Sequence, residues 1–266
     1  AYPNYIARGV IEGFEEHEAM PQDQIKSIRE FAEKEPDLFA GIWTWSRGGG
    51  WEGPYIKNER WCDLNAWVMA QWAADTTQRE EDVFNRYAKD RLGLKGDDLN
   101  AFRQLCLLST DAVIRGRNST HRDMNPWWTR DQGIGWPHVT GDRERNLKQK
   151  DESVALWKEI LKCATSISWP NESARDHAVG SSYYGLRLYE IYRNLIYLDD
   201  AQKRKDKESM RRWLKAYDDA WTIYNQLPQQ YPESATLYTR EFKQHIRDHA
   251  ETKINTLRSE LNDTNE

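Results

Sequence analysis

The sequence predicts a mainly α protein that opens with two terminal β/α units of an incomplete (β/α)8 barrel and continues as a helical domain. Three observations carry this prediction. Two short strand-like runs, Tyr5–Ile11 and Phe39–Ser46, each precede a helical pattern. Gly48, Gly49 and Gly50 follow the second run after Arg47, where a strand would turn into a helix. From Glu80 onward the apolar residues recur at helical spacing only. Strand, helix, strand, glycine loop, helix is the order of a parallel β/α unit. A parallel sheet needs cover on both faces, so two strands do not form one alone. The remaining strands are therefore expected before Ala1 or from a partner chain. The barrel portion is assigned to residues 1–78 and the helical domain to 79–266, with a tryptophan-rich loop at 115–149.

The elements follow in order. Tyr5–Ile11 ends at Glu12-Gly13, and a polar loop leads to Pro21, a residue type favoured in the first turn of a helix. Ile25, Ile28, Phe31 and Ala32 share one face of that helix, and Pro36-Asp37 ends it. After Phe39–Ser46 and the glycines, Leu64, Trp67, Val68 and Trp72 mark a second helix; Asn58 is placed to cap it, and Asp63 suits the positive end of its dipole. Val83, Phe84, Tyr87, Ala88 and Leu92 mark a third, closed by Gly93. Asp97 or Asp98 caps a fourth, carrying Leu99, Phe102, Leu105 and Cys106. A break is expected from about Arg115 to Gln149, rich in glycine and proline and holding Trp127, Trp128 and Trp136. A loop of that length is uncommon unless functional. Helices are then expected over roughly 152–167, 173–203, 207–227 and 233–261, with Pro228 and Pro232 punctuating the last connection.

The totals narrow the classes of function. A net charge of −5 gives no broad nucleic-acid footprint. No apolar run approaches the roughly 18 residues of a membrane span, and mean hydropathy is −0.94. The bulky residues are 13 Trp and 13 Tyr, which offer large contact area with few rotors and suit both cores and ligand platforms. Cys62, Cys106 and Cys163 are widely spaced and read as buried thiols. The acidic loop after the first strand lacks a histidine pair at i, i+4 and an Asp-x-Asp loop, so no metal site is assigned.

In the second strand Trp43, Trp45 and Arg47 share a face. In a barrel, sites form where strands end and loops begin, which places Trp45 and Arg47 at the rim, with Trp51, Tyr55 and Lys57 in the loop that follows. An aromatic plane takes the C–H face of a pyranose and charged groups take its hydroxyls, so the stretch reads as a carbohydrate pocket. The plainer alternative is that these tryptophans pack against helices and the glycines only turn the chain. At the end of the first strand, Glu12 and Glu16 are the candidate catalytic pair, because crowded carboxylates hold one pKa high and one low, as glycoside hydrolysis requires. His17 is a candidate substrate contact. Glu15 and Glu18 read as a solvated surface.

Ile42–Trp51 (Ile-Trp-Thr-Trp-Ser-Arg-Gly-Gly-Gly-Trp), Trp61–Trp67 (Trp-Cys-Asp-Leu-Asn-Ala-Trp) and Ala70–Asp75 (Ala-Gln-Trp-Ala-Ala-Asp) resemble the last strand and last helix of a (β/α)8 glycoside hydrolase. Glu81–Leu94 is similar to the start of the helical domain that follows the barrel in α-glucuronidase-type enzymes. The resemblance implies removal of uronic acid or related sugars from plant or algal polysaccharide, without a cofactor, and makes Arg47 and Lys57 natural partners of a sugar carboxylate. It also favours a secreted or periplasmic setting. Two strands are counted where such a barrel has eight, and the acid of many such barrels lies on an earlier strand, so the isolated chain is expected to be inactive. The competing readings are a non-catalytic helical module that binds carbohydrate or assembles with protein, and a structural role in which the helices mediate a homodimer.

Overall fold

The computed structural model describes residues 28–38, 40, 60–117, 142–232 and 237–262, and among them every regular element is a helix. In chain order these are α1 (Ile28–Lys34), α2 (Arg60–Ala74), α3 (Glu80–Leu92), α4 (Asp97–Arg117), α5 (Arg143–Ser166), α6 (Glu172–Lys203), α7 (Lys207–Gln230) and α8 (Leu237–Asn262). The mainly α class follows from this. The two expected strands lie outside the described residues, apart from Ala40, which has no regular structure.

From α4 to α8, consecutive helices run antiparallel. Ser153 of α5 donates to the Ala112 carbonyl of α4 at 2.7 Å, near one end of the pair, and Ser168 N donates to Asp98 Oδ1 at 3.1 Å beyond the other. Arg143 at the start of α5 pairs with Asp200 near the end of α6. Tyr197 stacks on Trp213 near the α6–α7 turn, with centroids 4.3 Å apart, while Tyr183 stacks on Tyr231 at the opposite end. Arg211 of α7 donates to the Leu261 carbonyl of α8. One apolar core runs through the array, from Trp61 of α2 to Leu261 of α8.

Two glycines set the approach of α4, α5 and α6. Trp157 of α5 is fully buried and stacks on Tyr189 of α6, with centroids 5.4 Å apart. A Cβ on Gly185 would lie 2.3 Å from the Trp157 ring, and one on Gly116 would lie 2.1 Å from the Tyr189 ring. The stacked pair therefore occupies the space of two missing side chains. Interiors are packed too densely to absorb that volume elsewhere.

The ends of the helices correct several expectations. The two ends of the break expected over 115–149 are helical, because α4 continues to Arg117 and α5 starts at Arg143; residues 118–141 lie outside the described residues. Gly116 counted toward a loop, but it serves the close approach to Tyr189. Asp142 caps α5 by accepting from Arg145 N at 3.1 Å, and Asn146, Leu147 and Lys150 are buried in a stretch that reads as polar. Pro228 lies inside α7 and does not end it; the last turn holds because Tyr231 N donates to the Leu227 carbonyl at 2.8 Å. Asp98 spends its carboxylate on Ser168 N, linking α4 to the α5–α6 connection. Gly93 behaves as expected, ending α3 at φ 70 with its N–H on the Lys89 carbonyl. Cys106 is buried and Cys163 is half-buried; both are free thiols.

Candidate functional site

The residues singled out from the sequence, Glu12, Glu16, His17, Trp45, Arg47, Trp51, Tyr55 and Lys57, all lie outside the described residues. The described chain resumes at Arg60, the first residue of α2, and the densest polar structure on α2 is gathered there.

Trp61 is buried, and its indole Nε1 donates to Ser181 Oγ of α6 at 2.9 Å. The Ser181 hydroxyl in turn donates to the His177 carbonyl at 2.5 Å, one turn back along α6. The His177 ring lies 5.7 Å from that of Trp61, and Phe102 of α4 stacks on Trp61 with centroids 6.3 Å apart. Tyr87 of α3 donates to Asp63 Oδ2 at 2.9 Å and lies 3.3 Å from the Arg60 carbonyl. Arg60 itself reaches Ser173 Oγ at 3.4 Å. Three other helices thus hold the first turn of α2: α3 and α6 through hydrogen bonds, and α4 through Phe102.

The electrostatics follow from burial. His177 is 2% exposed, and its pKa falls to about 3, chiefly because burial penalises the cation, with the Arg60 guanidinium adding to the effect. It is neutral at every ordinary pH. Burial, then the Asp63 carboxylate, push the Tyr87 phenol far above its usual range, so it stays a donor. Neither His177 nor Tyr87 is therefore poised to move a proton near neutrality.

A second polar cluster closes the other end of α6. Asp200 accepts from Arg143 of α5 and from Arg204, the latter at 3.0 Å, and the Arg143 bond leads in holding its carboxyl below the ordinary range. Tyr197 donates to Asp151 at 2.6 Å and stacks on Trp213, over which Arg193 and Arg212 also lie. A third polar group is Lys150, 1% exposed, whose ammonium donates to the Arg115 carbonyl at 2.8 Å in the last turn of α4; burial lowers its pKa to about 7.

A cleft of about 520 Å³ opens between α1, the α2–α3 link and α4, bordered by Glu33, Thr77, Arg79, Glu80 and Arg103. Its charges are turned on one another: Arg79 pairs with Glu81 at 2.9 Å and Arg103 with Glu80 at 3.6 Å. Among the described residues no group of three or more His, Cys, Asp or Glu side chains could hold a metal ion. No described helix is long and apolar enough to cross a membrane.

Sequence reasoning missed Ser181, His177, Tyr87 and Asp200. Ser181 and His177 carry a weak signal, because polar residues on the buried stripe of a long helix need a partner. Compared with known proteins, the chain matches no family model, no curated protein and no solved structure.

Proposed function

We propose that the chain is the C-terminal portion of a glycoside hydrolase of the α-glucuronidase type. It acts on uronic-acid-containing or related polysaccharide, holds two terminal β/α units of the barrel, and contributes one side of the sugar cleft. Trp45, Trp51 and Tyr55 supply aromatic surface for the pyranose, and His17 adds a polar contact. Arg47 and Lys57 take the sugar carboxylate. Glu12 and Glu16 are the carboxylates this portion brings toward the scissile bond, and the earlier strands of the barrel complete the machinery. The helical domain packs beneath the cleft.

The observation that carries this reading is the stretch Trp43–Tyr55, in which alternating tryptophans run into an arginine and three glycines and lead within five residues into α2. A core strand has no use for a guanidinium at its end, whereas a uronate has. The test is turnover of an aryl uronide or a uronic-acid-containing oligosaccharide by the chain joined to its barrel partner. Arg47→Ala is expected to lower kcat/KM by more than about tenfold, since a charge-assisted hydrogen bond lost at the substrate costs upward of ~1.4 kcal/mol. A smaller loss removes Arg47 from the substrate. Binding without turnover in any joined form favours the non-catalytic module.

A further inference from the structure

The turn between α6 and α7 carries more positive charge than a connection needs. From Lys203 to Arg212 the chain sets six cations against two acids, Asp206 and Glu208, in a molecule whose net charge is −5. Lys203 pairs with Asp199 at 2.7 Å, and Arg204 pairs with Asp200 at 3.0 Å and Asp206 at 3.3 Å. Lys205, Lys207, Arg211 and Arg212 are exposed and have no carboxylate partner among the described residues. Lys205 stands at φ 57, with its N–H on the Gln202 carbonyl and the Asp206 N–H on that of Ala201. Glycine is the residue that closes a helix in this way without strain. Strain held at an exposed lysine points to a use for its charge. Beside the turn, Trp213 is partly buried and stacks on Tyr197. The Arg212 and Arg193 guanidinium carbons lie 5.0 and 5.8 Å from the Trp213 ring centre, a cation–π distance that holds them in place.

We infer that the α6–α7 turn is an accessory surface for an acidic polysaccharide, which sets its carboxylates on Lys205, Lys207 and Arg212 and its sugar C–H faces beside Trp213. The choice of polymer rests on the carbohydrate reading above, whereas the positive surface does not. Nucleic acid fits less well. A duplex carries one phosphate charge per ~1.7 Å of its axis, and a chain at −5 repels it everywhere beyond the turn. A uronate polymer carries one carboxylate per sugar and offers apolar faces to an indole.

The experiment titrates the 266-residue chain with oligogalacturonate, with dextran and with a single-stranded oligodeoxynucleotide, and separately with glucuronic acid. Melting temperatures are measured alongside. Wild type is compared with the triple variant Lys205→Ala, Lys207→Ala, Arg212→Ala and with Lys89→Ala, Lys95→Ala, Lys162→Ala, which removes the same charge from exposed positions elsewhere. Lys205→Gly is the third variant. Wild type is expected to bind oligogalacturonate more weakly as salt rises, and not to bind dextran. The turn triple is expected to weaken that binding about tenfold, and the control triple to leave it within about twofold. Lys205→Gly should raise the melting temperature while weakening binding, a combination that a lysine serving only the turn does not give. Equal losses in the two triples, or binding of glucuronic acid but not of oligogalacturonate, overturn the surface and leave the carbohydrate reading in place. Tighter binding of the oligodeoxynucleotide overturns the polysaccharide as partner. Oligogalacturonate binding lost in the turn triple, without binding of glucuronic acid, upholds the surface and overturns the cleft. No binding of either overturns both.

Discussion

His177 offers a prediction whose size follows from the difference between its folded and unfolded titration. In the unfolded chain an imidazole titrates near 6.5, while in the fold burial against Trp61 lowers it to about 3. Between these values the unfolded chain binds a proton that the folded chain refuses, so stability falls as pH falls through 6.5 and levels off only near 3. From pH 7 to pH 5 the loss from this one group is about 2 kcal/mol. That figure is insensitive to the folded value so long as it stays below about 4. The perturbation is His177→Gln, which cannot be protonated in this range. The assay is urea unfolding at pH 7 and pH 5 for both proteins, taking the difference of the two differences. The other five histidines are common to both proteins and cancel. Wild type is expected to lose about 2 kcal/mol more than the variant on acidification. Equal losses would mean that His177 accepts a proton in the fold, which refutes the account of the α2–α6 contact.

Further outcomes follow from other contacts. Gly185→Ala places a methyl 2.3 Å from the Trp157 ring and should destabilise by about 1–3 kcal/mol or more in thermal unfolding; a neutral substitution would contradict the close α5–α6 approach. Asp200→Ala removes the shared acceptor of Arg143 and Arg204 and should cost about 2 kcal/mol at pH 7. That difference should shrink as pH falls below the ordinary aspartate range, because the folded carboxyl is held low and its contribution is lost when it protonates. Lys150, lowered to about 7 in the fold, should make stability rise with pH between 7 and 10.5. Lys150→Met should flatten that rise and raise stability at pH 7 by about 1 kcal/mol or more, as apolar replacement of a buried charge often does.

The helical half was legible where apolar spacing is regular. The stripe from Val83 to Leu92 with Gly93 behind it, and the long run through Leu186, Tyr189 and Ile196, fall where the helical period puts them. The start of α5 was not legible. Arg143–Lys150 looks solvated, yet it buries Asn146, Gln149 and Lys150, and such burial depends on partners far along the chain, including the Arg115 carbonyl. Gly116 misled for a related reason: a glycine that admits a ring from another helix cannot be told from one that turns the chain. The Trp61–Ser181 bond joins residues 120 positions apart, so local pattern gives no sign of it. The candidate cleft residues were legible only as chemistry, an aromatic and cationic run at the end of a strand-like alternation.

The central claim is that this chain recognises a uronate through Arg47 and Lys57. The most direct measurement is a calorimetric titration of the 266-residue chain with glucuronic acid and with glucose, which differ at a single carboxylate. The account predicts saturable glucuronate binding, with glucose at least about tenfold weaker, the difference reduced in Arg47→Ala and abolished when Arg47 and Lys57 are both replaced by Ala. Equal affinity for the two sugars, or discrimination that survives the double substitution, would contradict it.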